Sequence, residues 1–157
     1  MRPLFHKNKM KQEEGYRFTK QELILRLFAF HDGYHNYGGR LAKFLNEYMD
    51  KNKDLDSKGL ENKRQIFIRS IEIIYKKIFE GRVPQKLTIS TLEALLVGVS
   101  LNLDYLESQH PDVLKTYFKQ LQNNEEFSDE KLREGLSGKP RVIGRLSAAE
   151  EIFSGAK

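Results

Sequence analysis

The chain has 157 residues, 39% of them hydrophobic and 31% charged, with four prolines, a balance that fits one folded domain with solvated helix faces and argues against disorder. It holds no cysteine and its longest apolar run, ALLVGVSL at 94–101, ends far short of the ~20 residues that cross a bilayer, so disulfides, thiolate metal centres, cysteine nucleophiles and a membrane partner are excluded and, with no signal-peptide core at the start, the sequence reads as cytoplasmic. The net charge of +5 is unevenly placed, with six bases against two acids over 1–20, eight bases against three acids over 58–86, and eight acids against four bases over 104–134, regions that can meet a polyanion, a partner or each other.

The opening RPLFHKNKMKQEEG has no periodicity and reads as a basic arm over 1–15, leading into a helical domain over 16–157. Thr19-Lys20-Gln21-Glu22 has the form of a capping box. The helix it opens carries Leu23, Ile24, Leu27, Phe28 and Phe30 and is expected to stop near Phe30, where FHDGYHNYGG begins. Leu41, Phe44, Leu45 and Tyr48 predict a second helix over about 40–51. After a charged loop, a long third helix is expected from about Ser57 to Phe79, with Leu60, Phe67, Ile71, Ile74 and Ile78 as its core stripe. Arg69, Glu72, Lys76 and Glu80 form an opposite stripe suited to solvent and weak local pairs.

Gly81 and Pro84 should end that helix, and a second apparent capping box, Ser90-Thr91-Leu92-Glu93, should open a fourth over about 91–102. Being apolar on nearly every side, it is the expected buried central helix. Gly98, unfavourable by about 1 kcal/mol relative to alanine, marks a close helix crossing. Pro111 opens a helix bearing Leu114, Tyr117, Phe118 and Leu121, which Asn123-Asn124 ends. A short helical turn after Ser128 and a helix opened by Pro140, with Val142, Leu146, Ala149 and Phe153 on one face, complete the chain. The fold expected is all-α, a single compact bundle of about six helices.

The stretch FHDGYHNYGG gathers two histidines, an aspartate, two tyrosines and three glycines. His31 and His35 have the i, i+4 spacing of zinc ligands, but Gly33 lies between them and neither a third ligand nor a glutamate base is supplied. An HNH nuclease reading of His31, His35 and Asn36 fails on spacing. The stretch therefore reads as an inter-helix connector packed by Tyr34 and Tyr37, with His31 and His35 exposed or capping. Adjacent carboxylates such as Glu125-Glu126 and Glu150-Glu151 point about 100° apart on a helix and read as solvated. GLSGK at 135–139 lacks the spacing of a phosphate loop and reads as a linker. No catalytic residue, metal or cofactor is expected. Arg2, Lys7, Lys9, Lys11 and Arg17 are the nucleic-acid candidates, because such an arm can follow a phosphate backbone.

The order of the blocks adds a resemblance. YRFTKQELILRLFAF, a connector with tyrosine and glycine, then GGRLAKFLNEYMDKN, resembles a block of the GmrSD-type family of bacterial restriction proteins, with Glu22-Leu23, Leu25-Arg26, Phe28 and Lys43-Phe44-Leu45 in the expected order. ISTLEALLVGVS, NNEEF and VIGRLSAAEEIF look like successive helices of that family, so the resemblance spans about residues 16 to 154. Family members begin with a nucleotide-handling half marked by Asp-Gly-Gln-Gln-Arg, and many end in an HNH nuclease domain. Neither occurs here, so the resemblance implies the helical C-terminal half of the first domain and carries no catalytic residue over. The expected function is a non-catalytic helical module, related to restriction and phage defence, that docks a nucleotide-binding or nuclease partner or a second copy of itself. The alternative is a small basic DNA-binding protein using the arm and the cationic face of 58–86.

Overall fold

The computed structural model describes residues 20–133 and 135–156. The basic arm, Thr19 of the first capping box, and the candidates Arg2, Lys7, Lys9, Lys11 and Arg17 lie outside the described residues. Helix α1 (Lys20–Gly33) buries Leu23, Leu27 and Phe30, spaced four and three apart on one face. It runs one turn past Phe30, so His31 and Asp32 are helical. A 3-10 turn (Tyr34–Asn36) follows, and α2 (Leu41–Asn52) buries only Leu45 completely. Asp56 caps α3 (Ser57–Glu72) by accepting from the Gly59 amide at 2.8 Å.

At Ile73 the long third helix widens into a π-helical segment, Ile73–Ile78. Its exit is marked by the Phe79 amide donating to the Ile74 carbonyl, five residues back, at 2.9 Å. Glu80 and Gly81 then take left-handed backbone angles (φ 49° and 83°) and turn the chain. Helix α4 (Ile89–Ser100) is buried at every position from Thr91 to Ser100. It is the expected central helix, but Ser90 and Glu93 do not cap it. Thr88 does, its hydroxyl accepting from the Thr91 amide at 3.1 Å, which places Ser90 and Glu93 inside the helix.

A short α5 (Leu103–Glu107), absent from the expected elements, precedes α6 (Pro111–Gln122). The helical turn expected after Ser128 lies before it instead, as a 3-10 turn over Glu125–Phe127 capped by Asn124. The last helix, α7 (Lys139–Phe153), buries Val142, Leu146, Ala149 and Phe153, with Gly155 left-handed beyond its end. The described residues hold seven α-helices and no strand, so the protein is an all-α single bundle.

Helices α1, α3 and α7 surround α4, and α6 closes the bundle against α7 and the π-helical segment. Burial of the leucines, isoleucines and phenylalanines that line this core contributes about 1.5–3 kcal/mol each. Gly98 is where α4 and α7 approach most closely: a Cβ there would stand 2.9 Å from Ala149 Cβ. The crossing expected from Gly98 is thus present. Leu60 departs from the expected stripe. It is 58% exposed, so the core face of α3 begins further along and its first turns stand clear of the core.

Candidate functional site

The connector is packed as expected at its tyrosines. Tyr37 is fully buried, its ring edge-on to Phe30 and Phe44, and its hydroxyl donates to the Ser137 carbonyl at 2.5 Å. Tyr34, also buried, donates to Glu150 at 2.7 Å. Burial, reinforced by that carboxylate, holds the Tyr34 phenol well above its usual range. His31 is neither exposed nor a cap. Its Nδ1 lies 2.8 Å from Ser100 Oγ, a distance that suits a base and a nucleophile. Ser100 is buried, however, and its hydroxyl donates to the Val97 carbonyl at 2.8 Å, so it accepts from a proton on Nδ1 and locks α1 to α4. Burial pulls the His31 pKa below 6.5 and keeps the ring neutral. His35 is exposed, with Nε2 3.9 Å from Glu150, and His110 caps α6 by accepting from the Asp112 amide. Among the described residues no three His, Cys, Asp or Glu side chains are grouped to hold a metal ion.

A buried charge cluster joins α1, α4 and α7. Glu93, 2% exposed, accepts from Arg26 Nε at 2.5 Å. Arg145, 3% exposed, donates through Nη2 to the Leu136 carbonyl at 2.7 Å, while its Nη1 has no partner. Burial draws the Arg145 guanidinium below its ordinary pKa, and Glu93 opposes that shift. Tyr37 and Arg145 thus hold the carbonyls of Ser137 and Leu136, which makes the GLSGK linker a fixed strap over the connector.

The charged stripes meet each other. Arg69 donates through Nε and Nη2 to the two oxygens of Glu107, at 2.8 and 2.6 Å, and through Nη2 to Asp104 at 2.7 Å. Lys77 donates to the carbonyls of Leu106, Glu107 and Gln109, capping the end of α5. Glu80 pairs with Lys115. The stripe expected to face solvent through local pairs therefore joins α3 to the acidic region over 104–134. Glu125 and Glu126, expected to be independent, both approach Lys131, at 3.7 and 2.9 Å.

The largest recess among the described residues is an open groove of about 590 Å³ between α1, α2 and α3. Ile24, Leu25 and Phe28 supply one wall, Met49 another, and Leu60 and Phe67 the third. Its charged lining residues are Lys53, Lys63 and Arg64, with no carboxylate. Lys63 Nζ donates to Tyr48 Oη at 2.5 Å and to Asp32 Oδ2 at 3.0 Å, and lies 5.4 and 5.1 Å from the ring centres of Phe28 and Tyr48. Burial works against the ammonium, but these bonds outweigh it and raise the Lys63 pKa. Tyr48 and Asn52 also line a second recess of about 420 Å³, beside Asp32 and Glu47.

Sequence reasoning assigned Leu60 and Phe67 to the core and so missed this groove. The available signal was α1, which carries Leu23, Leu27 and Phe30 on one face and Ile24 and Phe28 on another, more apolar surface than one core contact requires. The fold and groove define a helical bundle with an uncovered apolar trough. Comparison with protein-family models, curated proteins and solved structures gives no match.

Proposed function

We propose that this chain is a non-catalytic helical module that docks a protein partner in the groove between α1, α2 and α3. The observation that carries the reading is the uncovered apolar rim: Met49 and Leu60 are 45% and 58% exposed above half-buried Ile24, Phe28 and Phe67. Clustered large apolar side chains around a recess mark an interaction surface, whereas scattered ones do not. The sequence blocks shared with GmrSD-type restriction proteins support a nucleotide-binding or nuclease subunit as that partner, in a restriction or phage-defence setting.

The DNA-binding reading draws less support from the face over 58–86. Lys63, Arg69 and Lys77 there are engaged with Asp32, with Asp104 and Glu107, and with three backbone carbonyls. A photo-crosslinking residue at position 60, used in the native host, tests the docking reading. One dominant adduct with a second protein is expected, and Met49→Asp should abolish it. No adduct, or adducts only between copies of this chain, overturns the reading.

A further inference from the structure

Resting on that docking reading, we infer that the groove takes an acidic amphipathic helix from the partner. The groove has helical walls on three sides, and α2 packs extensively only on α1. A helix laid in the trough would cover the apolar faces that α2 and the first turns of α3 leave open, as α4 covers α1 from the other side. Other peptide modes fit less well. Strand addition needs a sheet edge, and the described residues contain no strand. Polyproline recognition needs exposed aromatic ridges, whereas the exposed apolar rim here is Met49 and Leu60. Methionine at such a rim adapts its shape to an incoming side chain.

The sign of the partner follows from the lining. Lys63 is fixed in the wall by Tyr48 and Asp32. Lys53 and Arg64, 65% and 63% exposed, have only solvent-facing pairs with Asp50 at 3.3 Å and Glu61 at 3.5 Å. Such pairs contribute little and yield readily to a better carboxylate. Apolar anchors at i, i+3, i+4 and i+7 would enter the trough, and glutamates beside them would meet Lys53 and Arg64.

The test uses two fluorescein-labelled amphipathic peptides of about 18 residues, long enough to hold a helix. They share the same leucine anchors, and their flanking residues are all glutamate in one and all lysine in the other. Titrated with the full chain at low salt, the glutamate peptide should bind about tenfold more tightly. The gap should close near 1 M salt, where screening reaches roughly 3 Å. Leu60→Asp should abolish binding of both peptides. Lys53→Glu with Arg64→Glu, confirmed folded by circular dichroism, should invert the preference. Equal affinities, a preference for the lysine peptide, no binding of either, or binding indifferent to Leu60→Asp would overturn the inference. A cross-link from position 60 to a partner, without the acidic preference, leaves docking intact and removes only the helix chemistry. Peptide discrimination without any cross-linked partner removes docking in the native host.

Discussion

Gly98→Ala tests the crossing at the centre of the fold. The added Cβ would stand 2.9 Å from both Ala149 Cβ and the Ala149 carbonyl oxygen, and 3.0 Å from the carbonyl carbon. Carbon atoms pack best at about 3.5–4.0 Å, so α4 and α7 must separate by roughly half an ångström. Alanine gains about 1 kcal/mol of helix propensity, and overpacking costs about 1–3 kcal/mol. The obstructing atoms are backbone or bonded directly to it, and α1 and α3 block α4 from retreating. The upper part of the overpacking range therefore applies, for a net loss of about 1–2 kcal/mol. At this chain length that lowers Tm by about 2–8 °C. Urea denaturation followed by circular dichroism measures the loss, and a cycle with Ala149→Gly should show coupling of about 0.5 kcal/mol or more. A Gly98→Ala protein as stable as the parent, or strict additivity in the cycle, would refute the close crossing as the reason for this glycine.

Glu93→Gln removes the buried carboxylate that binds Arg26 and offsets the charge of Arg145. It should lower the urea-derived stability by about 3–5 kcal/mol, and a loss under about 1 kcal/mol would show the cluster to be dispensable. His31, whose pKa burial lowers in the fold, favours folding fully at pH above 6.5 and less as the pH falls beneath that value, because the unfolded chain then takes the proton first. Parent minus His31→Gln stability should therefore decline between about pH 6.5 and 5, and a flat difference would remove the argument. Arg69→Lys keeps the charge but loses the fork onto Glu107. It should cost no more than about 1 kcal/mol, shrinking in 1 M salt, and a salt-independent loss would place its contribution in packing instead.

The helices visible in the sequence are those whose evidence is local. Pro111 and Pro140 sit in the first turns of α6 and α7, and the run from Leu92 to Val99 has so little polar surface that only a central position suits it. The connector was legible for the same reason, with Tyr34 and Tyr37 spaced to pack a turn. Partners distant in sequence were not legible. Ser90 and Glu93 imitate a capping box, but what decides the role of Glu93 is Arg26, 67 residues earlier. Arg69 belongs to a stripe of alternating sign, yet its acids come from α5. The groove stayed hidden because an apolar stripe reports that a face avoids water, and Leu60 and Ile71 lie on one stripe with opposite surroundings.

The π-helical segment at Ile73–Ile78 acts as a phase adjuster within the long third helix. One residue of extra winding offsets the two ends by about 100°, so the helix shows Leu60 to the groove at its start and places Ile74, Ile78 and Lys77 against α6 and the end of α5 at its finish. Deleting one residue there would restore regular winding and swing Glu80 away from Lys115 and Lys77 away from its three carbonyls. In any homologous sequence, a gap of one position is therefore most readily accommodated between Ile73 and Ile78, and it would mark a relative whose groove and core stand at a different angle.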